Sequence, residues 1–223
     1  MSGSFVTPEF RDRIRGLATP IAAGFGRLGL TPNALTIIGF GGTVVAAVAA
    51  GLEAWLLAGI LVIAFGIFDL FDGALARATG TTSKFGAFLD STLDRTGESL
   101  IYAGVAVGSA AAEFGWGVIL AGLAATFASG VTYTRAKAES LGLHGEVGVA
   151  PRPERLVILA AGLVLGDLLG GVGHPGGGEL FSLVAPANGT YALAFALGLI
   201  TILSAITVLQ RIVHVRQQLG NEQ

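Results

Sequence analysis

Four aspartates give this chain its chemistry. Asp69 and Asp72 stand three residues apart in FDLFDGALAR, and Asp90 and Asp94 stand four apart in GAFLDSTLDR. Residues at i and i+3 or i+4 project from one face of a helix, so each pair presents two carboxylates side by side. The connection between the two stretches is short, which predicts antiparallel neighbouring helices and a single acidic cluster. Both stretches adjoin apolar runs, and a charged side chain at membrane depth costs about 2.5–3.5 kcal/mol on insertion scales. Arg77, Lys84 and Arg95 are too few to neutralise four acids, whereas divalent cations suit them. Mg²⁺, or Mn²⁺ in its place, takes carboxylate and phosphate oxygens, and four aspartates can hold two such ions about 3.5–4 Å apart, the arrangement that clamps both oxygens of a phosphoryl transfer. With no cysteine and only three histidines, the chain has little but oxygen to offer a metal. Gly73 and Ala76 continue the Asp69 and Asp72 face and leave a groove where a pyrophosphate or ribose can approach the backbone. Close helix packing alone would explain the small residues but not the acids.

The elements that carry these residues belong in a membrane. Of 223 residues, 52% are hydrophobic and 13% charged, with a mean hydropathy of +0.73, about half the charge of an ordinary soluble domain. Six segments have a length that spans about 30 Å of hydrocarbon: Asn33–Gly51, Ala54–Ala76, Gly86–Ala111, Trp116–Ala138, Glu154–Leu169 and Gly189–Ile212. Lys and Arg residues gather at alternate connections and at both ends, leaving Leu52-Glu53, Ala112-Glu113 and the glycine-rich Gly166–Asn188 with none. The positive-inside rule then places both termini and the acidic cluster in the cytoplasm. Before the first span, Phe10, Ile14, Leu17, Ile21, Phe25 and Leu28 recur at helical spacing among arginines, with Thr7 to cap and Pro8 at the first turn. This reads as an amphipathic helix lying on the membrane rather than a signal peptide, whose apolar run Pro20 would interrupt. The expected architecture is an all-α integral membrane protein, with residues 1–30 as a juxtamembrane helix and residues 31–223 as a six-helix membrane domain. His174, alone in the external loop, reads as solvated, and Gly104-x3-Gly108 is a weak match to a helix-packing face.

The spacing Asp69-x2-Asp72-Gly73-x2-Ala76-Arg77-x8-Gly86-x3-Asp90-x3-Asp94 resembles, at every fixed position, the motif of the CDP-alcohol phosphotransferase family. The resemblance implies six transmembrane helices, a homodimer and two divalent metals, with an alcohol attacking the β-phosphate of a CDP-linked lipid and CMP leaving. It further implies Asp69, Asp72, Asp90 and Asp94 as metal ligands and Asp94 as general base. Asn33, Ala34, Leu35 and Thr36 of the TPNALT stretch, with Asp69, Gly73, Ala76, Arg77 and Ser83, fall where the family holds CDP-diacylglycerol. Elementary chemistry agrees on the base, since an alcohol attacking at neutral pH needs a carboxylate to take its proton.

The acceptor is read from the cations. Arg135, Lys137, Arg152 and Arg155 lie in one connection on the acidic side, and Arg211 returns there at the end of the last span. A neutral alcohol has no use for them, whereas a phosphorylated one must be drawn past four aspartates and gripped by guanidinium and ammonium donors. The sequence around them, RAKAE, then GL, RPERL and QR, is similar to the actinobacterial branch of the family that uses inositol 1-phosphate, in which these basic residues hold its phosphate. Arg135 and Lys137 stand in the reverse order of the Lys-Ala-Arg form in that branch. CDP-diacylglycerol, inositol 1-phosphate and membrane lipids are thus the expected partners, and no nucleic acid is. Two rivals stand beside this reading: a sister enzyme that accepts glycerol 3-phosphate, and a metal or anion transporter, for which the sequence lacks the inverted repeats.

Overall fold

The computed structural model describes residues 20–173 and 187–220, which are helical wherever they are regular. A short helix over residues 20–27 (α1) is followed by α2 (Pro32–Gly51), α3 (Trp55–Gly66), α4 (Phe68–Thr79), α5 (Lys84–Ala111), α6 (Gly115–Ser140), α7 (Arg152–Leu168) and α8 (Asn188–Gly220). Local chemistry sets the starts of two key helices. Thr31 caps α2 by accepting from the Ala34 amide at 3.2 Å, with Pro32 in the first turn, and Ser83 caps α5 by accepting from Gly86 N at 2.9 Å. Gly80, at φ 66°, ends α4 in the left-handed conformation that other residues adopt at a cost.

The helices close into a ring in the order α2, α5, α6, α8, α7, α3 and back to α2, with α4 on the outside of the α2–α3 corner. One core runs through all six ring helices, with Ala46 and Ala50, Trp55 and Val62, Tyr102 and Val105, Ala121 and Ala124, Leu159 and Leu163, and Leu193 and Leu197 meeting inside. Small residues bring the backbones close. A Cβ at Gly104 would lie 2.1 Å from the Ala47 carbonyl oxygen, and one at Gly108 would lie 2.1 Å from that of Ala50, so Gly104-x3-Gly108 is the face on which α5 packs against α2. Large apolar side chains such as Val45, Ile60, Val107, Phe195 and Ile202 face outward, as lipid rather than water requires.

Among the described residues, four helices are long and apolar enough to cross a membrane: Pro32–Gly51, the α3–α4 pair Trp55–Thr79, Gly115–Ser140 and Asn188–Gly220. The other two long helices carry the charges. α5 has 28 residues, ample to span, but holds Asp90, Asp94, Arg95 and Glu98, and α7 has 17 residues and begins with Arg152, Glu154 and Arg155.

The expected span Ala54–Ala76 lies within the stretch Trp55–Thr79, long and apolar enough to cross a membrane, which passes from α3 to α4 at Ile67 with the backbone still in the right-handed helical region. One expectation is corrected: α4 and α5 do not pack as antiparallel neighbours. Both lie against α2, and the turn after Gly80 splays them so that carboxylates, rather than backbones, approach across the gap. Thr7, Pro8, Phe10, Ile14, Leu17 and His174 lie outside the described residues. What is described of the N-terminal stretch is anchored from inside: Ala22 packs with Leu35, Ala74 and Leu75, and the Phe25 ring lies 6.2 Å from that of Phe68 and 5.7 Å from that of Phe71. Ile21 and Leu28 are exposed on the other side.

Candidate active site

The aspartates converge at the end of the ring where α2, α5 and α7 begin. Asp69, Asp90 and Asp94 each offer an oxygen within 4.8 Å of the others. Asp90 Oδ1 is buried with no hydrogen-bond partner, an arrangement that is unfavourable for a carboxylate unless a cation faces it. Three hard oxygen donors that close, one of them orphaned, fit a divalent ion of the Mg²⁺ or Mn²⁺ type. Asp72 stands apart from this trio. It is buried, and its Oδ2 accepts a 2.6 Å hydrogen bond from Thr36 Oγ1 on α2, so its orientation is set by a neighbouring helix.

The residues expected to hold the nucleotide fall at the start of α2, along α4 and at the start of α5. A Cβ at Gly73 would lie 3.2 Å from Arg77 Nη1, so the guanidinium of Arg77 covers the bare backbone of Gly73. At the next helix start, a Cβ at Gly86 would meet Ser83 Oγ at 3.1 Å and Asn33 Oδ1 at 3.2 Å, which brings the polar groups of Asn33 and Ser83 to one small-residue opening. Ala76 and Ala34 are half-buried beside this line. Leu35 is different: its side chain is fully buried against Ala74 and Leu75, so it offers only backbone.

The five cations divide sharply. Arg152 Nη1 donates to Asp69 Oδ2 and forms an ion pair with Asp94 Oδ2 at 2.6 Å, a cation set directly against two members of the trio. Arg155 is 1% exposed. Its Nε and Nη2 donate to the two carboxylate oxygens of Glu98, each at 2.7 Å, and its Nη1 donates to the Ala150 carbonyl at 2.8 Å. Arg211 is also buried, donating from Nε to the Val147 carbonyl at 2.8 Å and from Nη1 to that of Val131. Arg135 lies at the surface in ion pairs with Glu139 at 2.7 Å and Glu146 at 2.6 Å, and Lys137 is exposed beside it. The structure therefore brings Arg152 to the aspartates and turns Arg155 and Arg211 inward.

The model of the CDP-alcohol phosphatidyltransferase family matches residues 29–215. The chain belongs to this family. A phosphatidylinositol phosphate synthase of Mycobacteroides abscessus is 35% identical over 217 residues, covering 94% of this chain and 88% of the relative. An archaetidylinositol phosphate synthase of Methanothermobacter thermautotrophicus is 36% identical over 215 residues, covering 95% and 94%. Among solved structures, Mycobacterium tuberculosis phosphatidylinositol phosphate synthase with CDP-DAG bound superposes with a TM-score of 0.72 at 31% identity, covering 89% of this chain and 92% of that one. The same mycobacterial enzyme has been crystallised with manganese and citrate. This phosphatidyltransferase is accordingly a membrane enzyme built around an acidic metal-binding cluster.

Two residues of the transferase escape a reading from spacing along one helix. Thr36, expected to touch substrate, also donates its hydroxyl to Asp72 across helices, a link that spacing along one helix does not announce. Glu98 was not singled out at all, although it continues the Asp90 and Asp94 stripe at i+4 and that periodicity was the available signal.

Proposed function

We propose that this phosphatidyltransferase moves the phosphatidyl group of CDP-diacylglycerol to inositol 1-phosphate and releases CMP. The observation that carries this reading is Arg152, a guanidinium held 2.6 Å from Asp94 at the same end as the carboxylate trio. A phosphorylated acceptor can exchange onto that guanidinium, and its hydroxyl is thereby brought beside the one carboxylate suited to accept a proton. The names of the two relatives support inositol phosphate as the acceptor and differ only in the lipid.

Each residue has a definite task in this reading. Asn33, Ser83, Arg77 and the bare backbone at Gly73 seat the nucleotide and its pyrophosphate. Asp69, Asp72, Asp90 and Asp94 would hold two divalent ions, Asp72 in the orientation fixed by Thr36, and such ions offset charge on the pyrophosphate and on departing CMP. The acceptor oxygen bonds to the phosphorus that carries diacylglycerol, its proton passes to a carboxylate oxygen of Asp94, and the phosphoanhydride bond to CMP breaks. Arg152 binds the acceptor phosphate, while Arg135 and Lys137 draw the anion toward it from solution. The lipid tails stay in the bilayer. This requires α5 and α7 to cross the membrane with the other four, giving six spans, with both termini and the site in the cytoplasm. Residues 1–30 would lie along that surface as an amphipathic helix and residues 31–223 would form the catalytic domain, paired as a homodimer.

The decisive experiment is CMP release by the purified protein in lipid vesicles containing CDP-diacylglycerol and Mg²⁺, comparing inositol 1-phosphate, free inositol and glycerol 3-phosphate. Release with inositol 1-phosphate alone is expected. Release with glycerol 3-phosphate alone would keep the aspartate chemistry and overturn the acceptor.

A further inference from the structure

We propose that Thr207 is a positioning residue for the transfer: from α8, its buried hydroxyl clasps the end of the α6–α7 connection and so sets where the first turn of α7 presents Arg152 to the acceptor phosphate. This rests on the transferase reading above and adds a residue that the reading leaves out. In the ring, α8 stands between α6 and α7, so the chain leaving α6 must cross the flank of α8 before α7 can begin. It crosses as an irregular strap, and one face of α8 holds it at three levels. Gln218 accepts from the His144 amide at 2.9 Å and donates to its carbonyl at 2.8 Å. Arg211 Nε donates to the Val147 carbonyl at 2.8 Å. Thr207 Oγ1 accepts from the amides of Val149 at 3.2 Å and Ala150 at 3.1 Å. From Thr207 to Gln218 the helix rises about 16 Å, and residues 144–150 reach about 20 Å when fully extended, so the strap has little slack.

The Thr207 contact is the one that reaches the site. Packing against α8 and α3 places α7 as a body, but its first turn begins at Pro151 without a side-chain cap. Thr207 anchors that start from a neighbouring helix. Its hydroxyl is fully buried and saturated, accepting from two amides while it donates to the Leu203 carbonyl at 2.8 Å. Ala150 is the link: Thr207 holds its amide, its carbonyl accepts from Arg155 Nη1 at 2.8 Å, and Arg152 follows one residue after Pro151. Gly148 lets the strap come this close, since a Cβ there would lie 2.2 Å from Thr207 Cγ2 and its φ of +137° is one that other residues rarely adopt.

The test uses the full-length protein in vesicles containing CDP-diacylglycerol and Mg²⁺. It measures kcat, the KM for each substrate, Mn²⁺ affinity by electron paramagnetic resonance without substrate, and hydrogen exchange across residues 143–150 by mass spectrometry. Thr207→Val keeps the shape and removes the hydroxyl. It is expected to speed exchange in the strap and to raise the KM for inositol 1-phosphate about tenfold, with kcat, the KM for CDP-diacylglycerol and Mn²⁺ affinity within about threefold of the parent. Thr207→Ser, which keeps the hydroxyl, is expected to match the parent. An unchanged acceptor KM in Thr207→Val would overturn the proposal. Equal impairment in Thr207→Ser would do the same, because the methyl group rather than the hydroxyl would then matter, and so would a uniform decline of every parameter, the mark of a general loosening. If Thr207→Val does not accumulate, Gly148→Ala pushes the strap from the other side: the acceptor KM should rise and should partly recover when Thr207→Ser removes the methyl it meets, whereas a parental KM in Gly148→Ala would refute the clasp. A parent protein silent with inositol 1-phosphate would instead indict the acceptor assignment. Exchange in Thr207→Val then decides the clasp, faster exchange keeping it and unchanged exchange removing it.

Discussion

The two rungs joining α5 and α7 use one chemistry for opposite ends. Arg152 with Asp94 and Asp69 lies where side chains are about a quarter exposed, and Arg155 with Glu98 is sealed one turn below. Near water, an arginine and a carboxylate can separate, and the lost pair is replaced by hydration or by an incoming phosphate. Where both partners are buried the same pair is costly to break, because removing one strands the charge of the other. Burial, more than residue type, decides which of the two pairs solvent can reach.

Several changes would break or sharpen that contrast. The largest loss is expected at Asp94→Asn, which replaces the carboxylate proposed as the base: kcat for CMP release should fall about 10²- to 10⁴-fold while CDP-diacylglycerol still binds. Unimpaired turnover there would dismiss Asp94 as the base. Arg155→Ala should destabilise the fold by about 3–5 kcal/mol, read as a lowered thermal unfolding temperature in detergent, since it strands Glu98; an unchanged temperature would contradict the sealed rung. Arg152→Gln should act on substrate rather than on folding, raising the acceptor KM about 10- to 100-fold with little change in unfolding. An unaltered acceptor KM would place the phosphate elsewhere. Thr36→Val removes the hydroxyl that orients Asp72 and should weaken Mn²⁺ binding roughly tenfold, a difference measurable by spin-resonance titration; unchanged affinity would make that hydrogen bond incidental. The smallest effect belongs to Arg135→Ala. Its ion pairs are open to solvent, so stability should move by no more than about 1 kcal/mol, and a larger drop would show that Glu139 and Glu146 fasten the connection after α6.

The aspartates were legible in the sequence because their meaning lies along single helices: i+3 and i+4 spacing fixes a shared face whatever the surroundings. Gly104 and Gly108 were visible for the same reason, and α2 proved to be the helix they admit. What spacing could not convey is which groups meet across the ring. RPERL presents two arginines three residues apart as equivalent cations, and only the opposing helix, with Asp94 facing one and Glu98 the other, separates their surroundings. Arg211 shows the same limit. Its partners are the carbonyls of Val131 and Val147, which every residue possesses and no sequence pattern announces.

The helix starts at this end of the ring have an electrostatic consequence. α2 begins beside Thr36 and Asp72, α5 begins at Ser83 facing Asn33, and α7 begins with Arg152. Each start directs amide hydrogens and the positive end of a peptide dipole toward its first turn, equivalent to roughly half an elementary charge. Three such ends surround one acidic cluster. The backbone therefore supplies a standing positive field that no side-chain substitution can remove, and it acts alike on the carboxylates that gather there and on the phosphates that pass between them.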